Sequence, residues 1–104
     1  MVIMTTIEVL PFMQERSYPD AGDALYQAIA PLLDVSEEKI TLDMSGVQGI
    51  PSMFLTMSIG RIIRERGSDY LKHKVKIINV LPGDAKRIRS YVDEFSRLLA
   101  AGVI

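Results

Sequence analysis

Strand-like and helix-like segments alternate along this chain, and that order limits the folds it can adopt. Three segments rich in β-branched residues predict strands, and each precedes a segment whose apolar residues recur at helical spacing. This alternation predicts an α/β sandwich in the order β-α-β-α-β-α, with right-handed crossovers and at least part of the sheet parallel. The strands are predicted at residues 2–10, 39–44 and 74–81, and the helices at 20–33, 52–66 and from 82 onward.

Local signals refine these boundaries. Pro11 and the polar residues after it interrupt the first segment, which is either one strand or a short hairpin. Asp20 or Asp23 is the expected cap of the first helix, and Gly67 is the expected stop of the second. Residues 39–44 alternate only partly between polar and apolar, which is typical of a strand covered on both faces.

Length and composition predict one ordinary globular domain over residues 1–104. The chain is 48% hydrophobic and 24% charged, and its formal net charge of −1 argues against a dedicated nucleic-acid binder. It has no cysteine, which excludes disulfides and thiolate metal sites. The apolar start lacks a basic leader and is too short to span a bilayer. We therefore expect a cytoplasmic protein that binds neither nucleic acid nor membrane.

The two halves of the chain differ in charge. Residues 1–51 carry eight acidic side chains against Arg16 and Lys39, whereas residues 52–104 carry ten basic side chains against five acidic ones. Either the halves neutralise each other in the folded domain, or the second half presents a basic surface to a partner.

Two stretches carry a resemblance to a known family. In KITLDMSGVQGIPSMFLTMSIGRI a strand ending in Asp43 leads through a Gly-Val turn to a helix that opens with serine; VKIINVLPGDAKRIRSYVDEF joins a strand to a helix. Over roughly residues 38–98 the chain resembles STAS domains, which include anti-sigma-factor antagonists and the tails of sulfate transporters. It more closely resembles the STAS-like bacterial proteins of unknown function. The resemblance implies a small mixed sheet with helices packed on it, the N-terminal strand at an edge, and room for an extra N-terminal strand.

Ser52, which opens the predicted second helix, allows two interpretations. A serine at a helix start accepts a hydrogen bond from a free backbone N–H, and that role alone would account for it. The family resemblance instead implies a phosphorylated serine, modified by a partner that is an ATP-binding, histidine-kinase-like regulator. The antagonists carry an aspartate directly before the phosphorylated serine, and this chain has Pro51 in its place. Ser52 is therefore the residue of the antagonist motif that this chain retains.

The helix predicted at 52–66 has apolar residues on two faces. The face expected in the core comprises Leu55, Ile59, Ile62 and Ile63. The opposite face comprises Met53, Met57, Arg61 and Arg64, with Phe54 at its margin. Methionines flanked by arginines suit an adaptable protein contact, so these last five residues are the candidate partner-binding residues. In the alternatives, the N-terminal strand or the loop after Leu81 covers the methionines, or the face forms a homodimer.

Asp43, at the end of the second predicted strand, is expected to pin the loop that follows it. A competing hypothesis places a small-molecule or nucleotide site, or an enzyme active site, in the crevice near Asp43, Ser52 and Asn79. The single histidine, His73, makes neither a metal site nor a catalytic triad, so no metal, cofactor or catalytic residue is predicted. The expected function is a non-enzymatic protein–protein interaction module of a bacterial regulatory system, similar to an anti-sigma-factor antagonist, with Ser52 as its switch.

Overall fold

A computed structural model describes residues 3–35 and 38–103, which form a three-stranded sheet and six helices. The strands are β1 (Ile3–Glu8), β2 (Glu38–Asp43) and β3 (Val75–Ile78). The helices are α1 (Leu10–Met13), α2 (Tyr18–Leu33), α3 (Ser52–Met57), α4 (Ile59–Arg66), α5 (Ser68–Lys74) and α6 (Pro82–Ala100). The predicted α/β class is confirmed; residue 2, predicted to begin the first strand, lies outside the described residues.

The sheet is parallel throughout, in the order β1-β2-β3. Thr5 pairs with Ile40 and Ile40 pairs with Val75, so β2 is central and β1 lies at an edge. The expected mixed sheet is wrong, because helices join each strand to the next, and such a crossover returns the chain in the same direction. The hairpin considered for the N-terminal region is also wrong, because the chain enters α1 soon after β1.

One face of the sheet carries the core, and the other is largely open. Ile40 and Leu42 of β2 are buried on the helical side. On the opposite side Lys39 is exposed, and so is Lys76 of β3. The expectation that β2 is covered on both faces is therefore wrong, although Thr41, in the middle of the open face, has only 5% of its surface exposed.

The helix predicted at 52–66 is two helices, α3 and α4, which meet at Ser58. The backbone of Ser58 has φ −114° and ψ −90°, outside the helical region. Its hydroxyl is fully buried and donates a 2.8 Å hydrogen bond to the carbonyl of Phe54. Serine side chains compete in this way with regular helical hydrogen bonding, which explains a break that apolar periodicity does not predict. Gly67, with φ +91°, ends α4 as expected.

Two other boundaries differ from the sequence prediction. α2 starts at Tyr18, because the hydroxyl of Ser17 accepts the capping bond from the backbone N–H of Asp20 at 3.3 Å, so neither Asp20 nor Asp23 is the cap. Residues 68–74 form α5, which was not predicted and which includes His73, and β3 is shorter than expected. None of the helices in the described ranges is long and apolar enough to cross a bilayer.

α2 lies directly on α3, and Gly22 makes this close approach possible. A Cβ atom at Gly22 would lie 2.6 Å from the backbone oxygen of Phe54 and 2.7 Å from Cβ of Met57. Both distances are shorter than a side chain tolerates, and one of the opposing atoms belongs to the backbone. The α2–α3 contact therefore depends on the absence of a side chain at residue 22.

The charges of the two halves meet where arginine side chains of α4 reach acidic side chains of α2 and of its C-cap residue. Arg61 bonds Asp23 at 2.7 Å, and Arg66 bonds Asp34 at 2.7 Å. Each acid belongs to the acidic half of the chain and each arginine to the basic half. For these four side chains, mutual neutralisation is the correct interpretation of the charge asymmetry.

Replacing Gly22 with alanine should destabilise the fold. Overpacking against Phe54 and Met57 is expected to lower the free energy of unfolding by about 1–3 kcal/mol. The higher helix propensity of alanine offsets ~1 kcal/mol of this loss. Gly83→Ala in α6 is the matched control, because a Cβ atom there meets nothing within 4 Å. In urea unfolding followed by circular dichroism, the control should be at least as stable as the wild type. A Gly22→Ala protein as stable as the control would contradict the packing described.

Candidate functional site

The loop from Met44 to Pro51 joins β2 to α3, and Asp43 holds its start. Oδ1 of Asp43 accepts hydrogen bonds from the backbone N–H of Ser45 at 3.0 Å, from the Ser45 hydroxyl at 2.7 Å and from the side-chain amide of Asn79 at 3.0 Å. These bonds, the one from the Ser45 hydroxyl first among them, lower the pKa of Asp43 below its ordinary value. Asp43 therefore pins the loop, as expected.

α6 holds the other end of the loop. Oδ2 of Asp84 accepts a hydrogen bond from the backbone N–H of Gly49 at 3.1 Å, and Nε of Arg87 donates to the carbonyl of Ile50. Gly49 has φ +79°, a left-handed conformation that glycine adopts at little cost. Nη2 of Arg87 also donates to the hydroxyl of Ser52 at 3.1 Å. One arginine thus connects α6 to both the loop and the first residue of α3.

Ser52 is exposed at the first position of α3 and does not cap that helix. Pro51 is the N-cap residue, with φ −67° and ψ 145°, and no side chain provides the capping hydrogen bond. The capping interpretation of Ser52 is wrong, because the helix begins one residue earlier than a capping serine requires. Its hydroxyl instead accepts the bond from Arg87 and remains open to solvent.

The five candidate partner-binding residues differ in how far they are exposed to solvent. Met53 is 51% exposed, whereas Phe54 is only 2% exposed, so the expectation that Phe54 faces solvent is wrong. The physical reason is that both α2 and α6 pack on α3, which leaves a narrow exposed strip on this short helix. At the start of α3, that strip comprises Ser52 and Met53.

Met57 and Arg61 are covered by α2. Cβ of Met57 lies against Gly22, and Met57 is half-buried. Arg61 pairs with Asp23, and its guanidinium lies over the ring of Tyr26, 3.8 Å from the ring centroid. The alternative in which the N-terminal strand or the loop after Leu81 covers the methionines is wrong for Met57, because α2 provides its cover. Arg61 is therefore engaged inside the molecule.

A shallow groove of about 270 Å³, here called the α3–α6 groove, separates α3 from α6 and is lined in part by Ser52. Tyr91, which lines it, shares a 2.8 Å hydrogen bond between its hydroxyl and that of Thr56. Tyr91 stacks on Phe95 with ring centroids 5.6 Å apart, and burial raises the pKa of Tyr91. The remaining lining residues are Leu55, Arg87, Ser90, Glu94 and Leu98.

Sequence reasoning missed Arg87 and Tyr91. Their spacing of four residues was an available signal, since it places both on one side of a helix. Their contacts with Ser52 and Thr56, each 35 residues away, arise only from the fold. Arg64, an expected contact residue, is exposed beside this groove, with its guanidinium 5.9 Å from the ring centroid of Phe95.

The polar groups at the carboxyl ends of β2 and β3 are bonded within the molecule. Of the three residues expected in the crevice, the structure brings Asp43 and Asn79 together in a hydrogen bond. Ser52 bonds Arg87 instead and shares no hydrogen bond with them. Within residues 3–35 and 38–103, no group of three or more His, Asp or Glu side chains could hold a metal ion. The arrangement anchors a loop and presents a serine beside an arginine.

Comparison with known proteins gives a family match. The family model of the STAS-like domain of unknown function (DUF4325) matches residues 21–85, which run from α2 through the loop and Ser52 to the start of α6. The chain belongs to the STAS-like family. This confirms the resemblance read from the two sequence stretches, and the family itself carries no assigned function. No curated protein and no solved structure matches the chain.

The carboxyl group of Asp43 should titrate below about pH 3.9, the usual midpoint for aspartate. Because its pKa is lowered in the folded STAS-like domain, the carboxylate stabilises the fold above the unfolded pKa, and this stabilisation is lost as pH falls through the folded value. NMR titration of side-chain carboxyl carbons measures the midpoint. Ser45→Ala should raise it, and the control Ser90→Ala should not. A wild-type midpoint at or above the ordinary value would contradict the loop anchor.

Proposed function

We propose that this STAS-like domain is a non-enzymatic protein–protein interaction module of a bacterial regulatory system, similar to an anti-sigma-factor antagonist. The docking surface is Ser52 and Met53 together with the α3–α6 groove, and is called the Ser52 surface below. The observation that carries the proposal is an exposed methionine adjoining an exposed serine whose hydroxyl is held by an arginine.

The chemistry of the Ser52 surface suits a protein partner. Met53 offers a flexible apolar side chain that adapts to different partners. The groove beside it combines an apolar floor, including Leu55 and Phe95, with polar groups at Arg87 and Glu94. Apolar centres with polar rims are the usual composition of protein interfaces. Since Phe54 is buried and Arg61 is engaged by α2, the proposed surface lies closer to α6 than the sequence suggested.

Phosphorylation of Ser52 would be the switch. A phosphate adds a charge of about −1.5 to −2 and three strong acceptor oxygens. Arg87, already 3.1 Å from the hydroxyl, would pair with it. Because Arg87 also bonds the carbonyl of Ile50, the modification would change the loop anchor as well as the charge of the surface. The modifying partner would be a cytoplasmic, ATP-binding regulator of the histidine-kinase type.

The competing hypothesis, a small-molecule or nucleotide site or an enzyme at the strand ends, requires convergent polar groups that are free to meet a ligand. Asp43 and Asn79 are bonded to each other, and Asp84 is bonded to the loop. These polar groups hold the chain in place, which favours the interaction module.

Met53→Asp should weaken partner capture. Its control is Met4→Asp, because Met4 is 61% exposed and lies on β1, away from the Ser52 surface. Proteins retained from an extract of the native cells by the immobilised domain are identified by mass spectrometry. Wild type and Met4→Asp should retain the same partner, and Met53→Asp should retain at least about tenfold less, equivalent to ~1.4 kcal/mol. Equal loss in both variants, or capture unaffected by Met53→Asp, would contradict the proposed surface.

Ser52 should accept one phosphate from the captured partner and ATP. The intact mass of the wild-type domain and of Ser90→Ala should increase by one phosphate, and that of Ser52→Ala should not. Ser90 is the matched control because it is exposed and lines the same groove. An unmodified wild type, or a modified Ser52→Ala, would rule out Ser52 as the switch.

A further inference from the structure

A second groove lies on the other flank of α6, between that helix and β3, and is called the β3–α6 groove. Its volume is about 590 Å³, more than twice that of the α3–α6 groove. Its wall is formed by apolar side chains from β3, from the segment after it, from α4 and from α6. They include Val75, Ile77, Val80, Ile59, Ile88 and Val92.

The groove adjoins the outer edge of β3. The N–H of Val75, at the start of this edge, already donates to the carbonyl of Leu71 in α5, so the part of the edge that another strand can reach begins at the carbonyl of Val75. The carbonyl of Ile78 accepts a 2.9 Å hydrogen bond from the N–H of Met44, so Ile78 turns its backbone groups toward β2. Successive strand residues point their backbone groups to opposite edges, so those of Ile77 point away from β2. Within the described ranges, β2 is the one strand that pairs with β3. From the carbonyl of Val75 onward, the outer edge of β3 is therefore available to another strand.

The position of α6 leaves room for that strand. Each earlier helical connection in this fold carries the chain over the sheet to the next parallel strand. α6 follows β3 in the same manner and packs on α3 and α4. A right-handed crossover through α6 would place a fourth parallel strand beside β3, in the space that the β3–α6 groove occupies. Val75 and Ile77, in this groove, are half-buried, whereas their neighbours Ile40 and Leu42 on β2 are buried.

The rim of the groove favours acidic side chains. Lys72 of α5 and Arg89 of α6 line it, both exposed and neither in an ion pair with another described residue. Asp93 is the acidic residue among those lining the groove. These cations take no part in the ion pairs that neutralise Arg61 and Arg66, so here the charge asymmetry does present a basic surface.

We propose that the β3–α6 groove binds an extended segment of a partner protein, which adds to the outer edge of β3 as a fourth strand. Alternate apolar side chains of that segment fill the groove, and its acidic side chains meet Lys72 and Arg89. Strand addition of this kind combines backbone hydrogen bonding with pockets for every second side chain. A second copy of this chain fits less well, because edge-to-edge pairing at β3 would bring the two basic rims together.

This proposal is tested by selecting peptides that bind the domain from a phage-displayed library of random short sequences. The most enriched peptide is then synthesised, and its affinity for the domain is measured. Enriched sequences should alternate apolar and polar positions and include Asp or Glu. Arg89→Glu should lower the affinity for this peptide at least about tenfold. Lys86→Glu, a charge reversal on the same helix but outside the groove, should leave that affinity within about twofold of the wild type. N-methylation of alternate backbone nitrogens of the peptide should abolish binding. In NMR spectra of the domain, the amide chemical shifts that change when the peptide binds should belong to residues of β3 and α6. Met53→Asp should bind as wild type, since the Ser52 surface is separate.

Several results would overturn the proposal. Failure to enrich any peptide, or enrichment without the alternating acidic pattern, would do so. Equal binding of the N-methylated peptide would identify an apolar ligand site without strand pairing. Chemical-shift changes in residues outside β3 and α6 would show that the peptide binds elsewhere. A dimer in sedimentation that Arg89→Glu alters would make a second copy the occupant.

Discussion

The contact of α2 with α3 through Gly22 determines which parts of the molecule can meet a partner. With no side chain at residue 22, α2 approaches to within contact of the Phe54 backbone and Met57. α2 then also supplies Asp23 and Tyr26 to hold Arg61. Most of the apolar surface that the sequence assigned to partner recognition is thereby used in folding, and at the start of α3 Ser52 and Met53 remain exposed.

α6 is the element that links the two proposed surfaces. Along one flank, Asp84 and Arg87 anchor the loop and Ser52. Along the other, Ile88 and Arg89 line the β3–α6 groove. Residues 87 and 88 are neighbours in sequence but point to different flanks because successive helical residues are about 100° apart. The two proposed surfaces therefore share one helix.

How much of the structure the sequence predicts depends on whether a feature is set by neighbouring residues or by residues far apart in the chain. Apolar periodicity is local, and it predicted the strands and helices around Ile40, Leu25 and Val92. The STAS-like family came instead from the resemblance of two short stretches, and the family model confirms it. Apolar periodicity failed at Ser58, where a side-chain hydrogen bond breaks the helix without changing the apolar pattern. It also misjudged Phe54, because periodicity shows which residues are apolar and not which element covers them. The pairing of Arg87 with Ser52 spans 35 residues and follows from the packing of α6 alone.

Amide hydrogen exchange of the domain, free and in complex with its captured partner, measures whether the partner docks at the Ser52 surface. Exchange in the complex should be slower at residues 52–57 and 87–98, with the open face of the sheet unchanged. Protection confined to residues 3–8 and 38–43, with α3 and α6 exchanging as in the free domain, would contradict docking at the Ser52 surface.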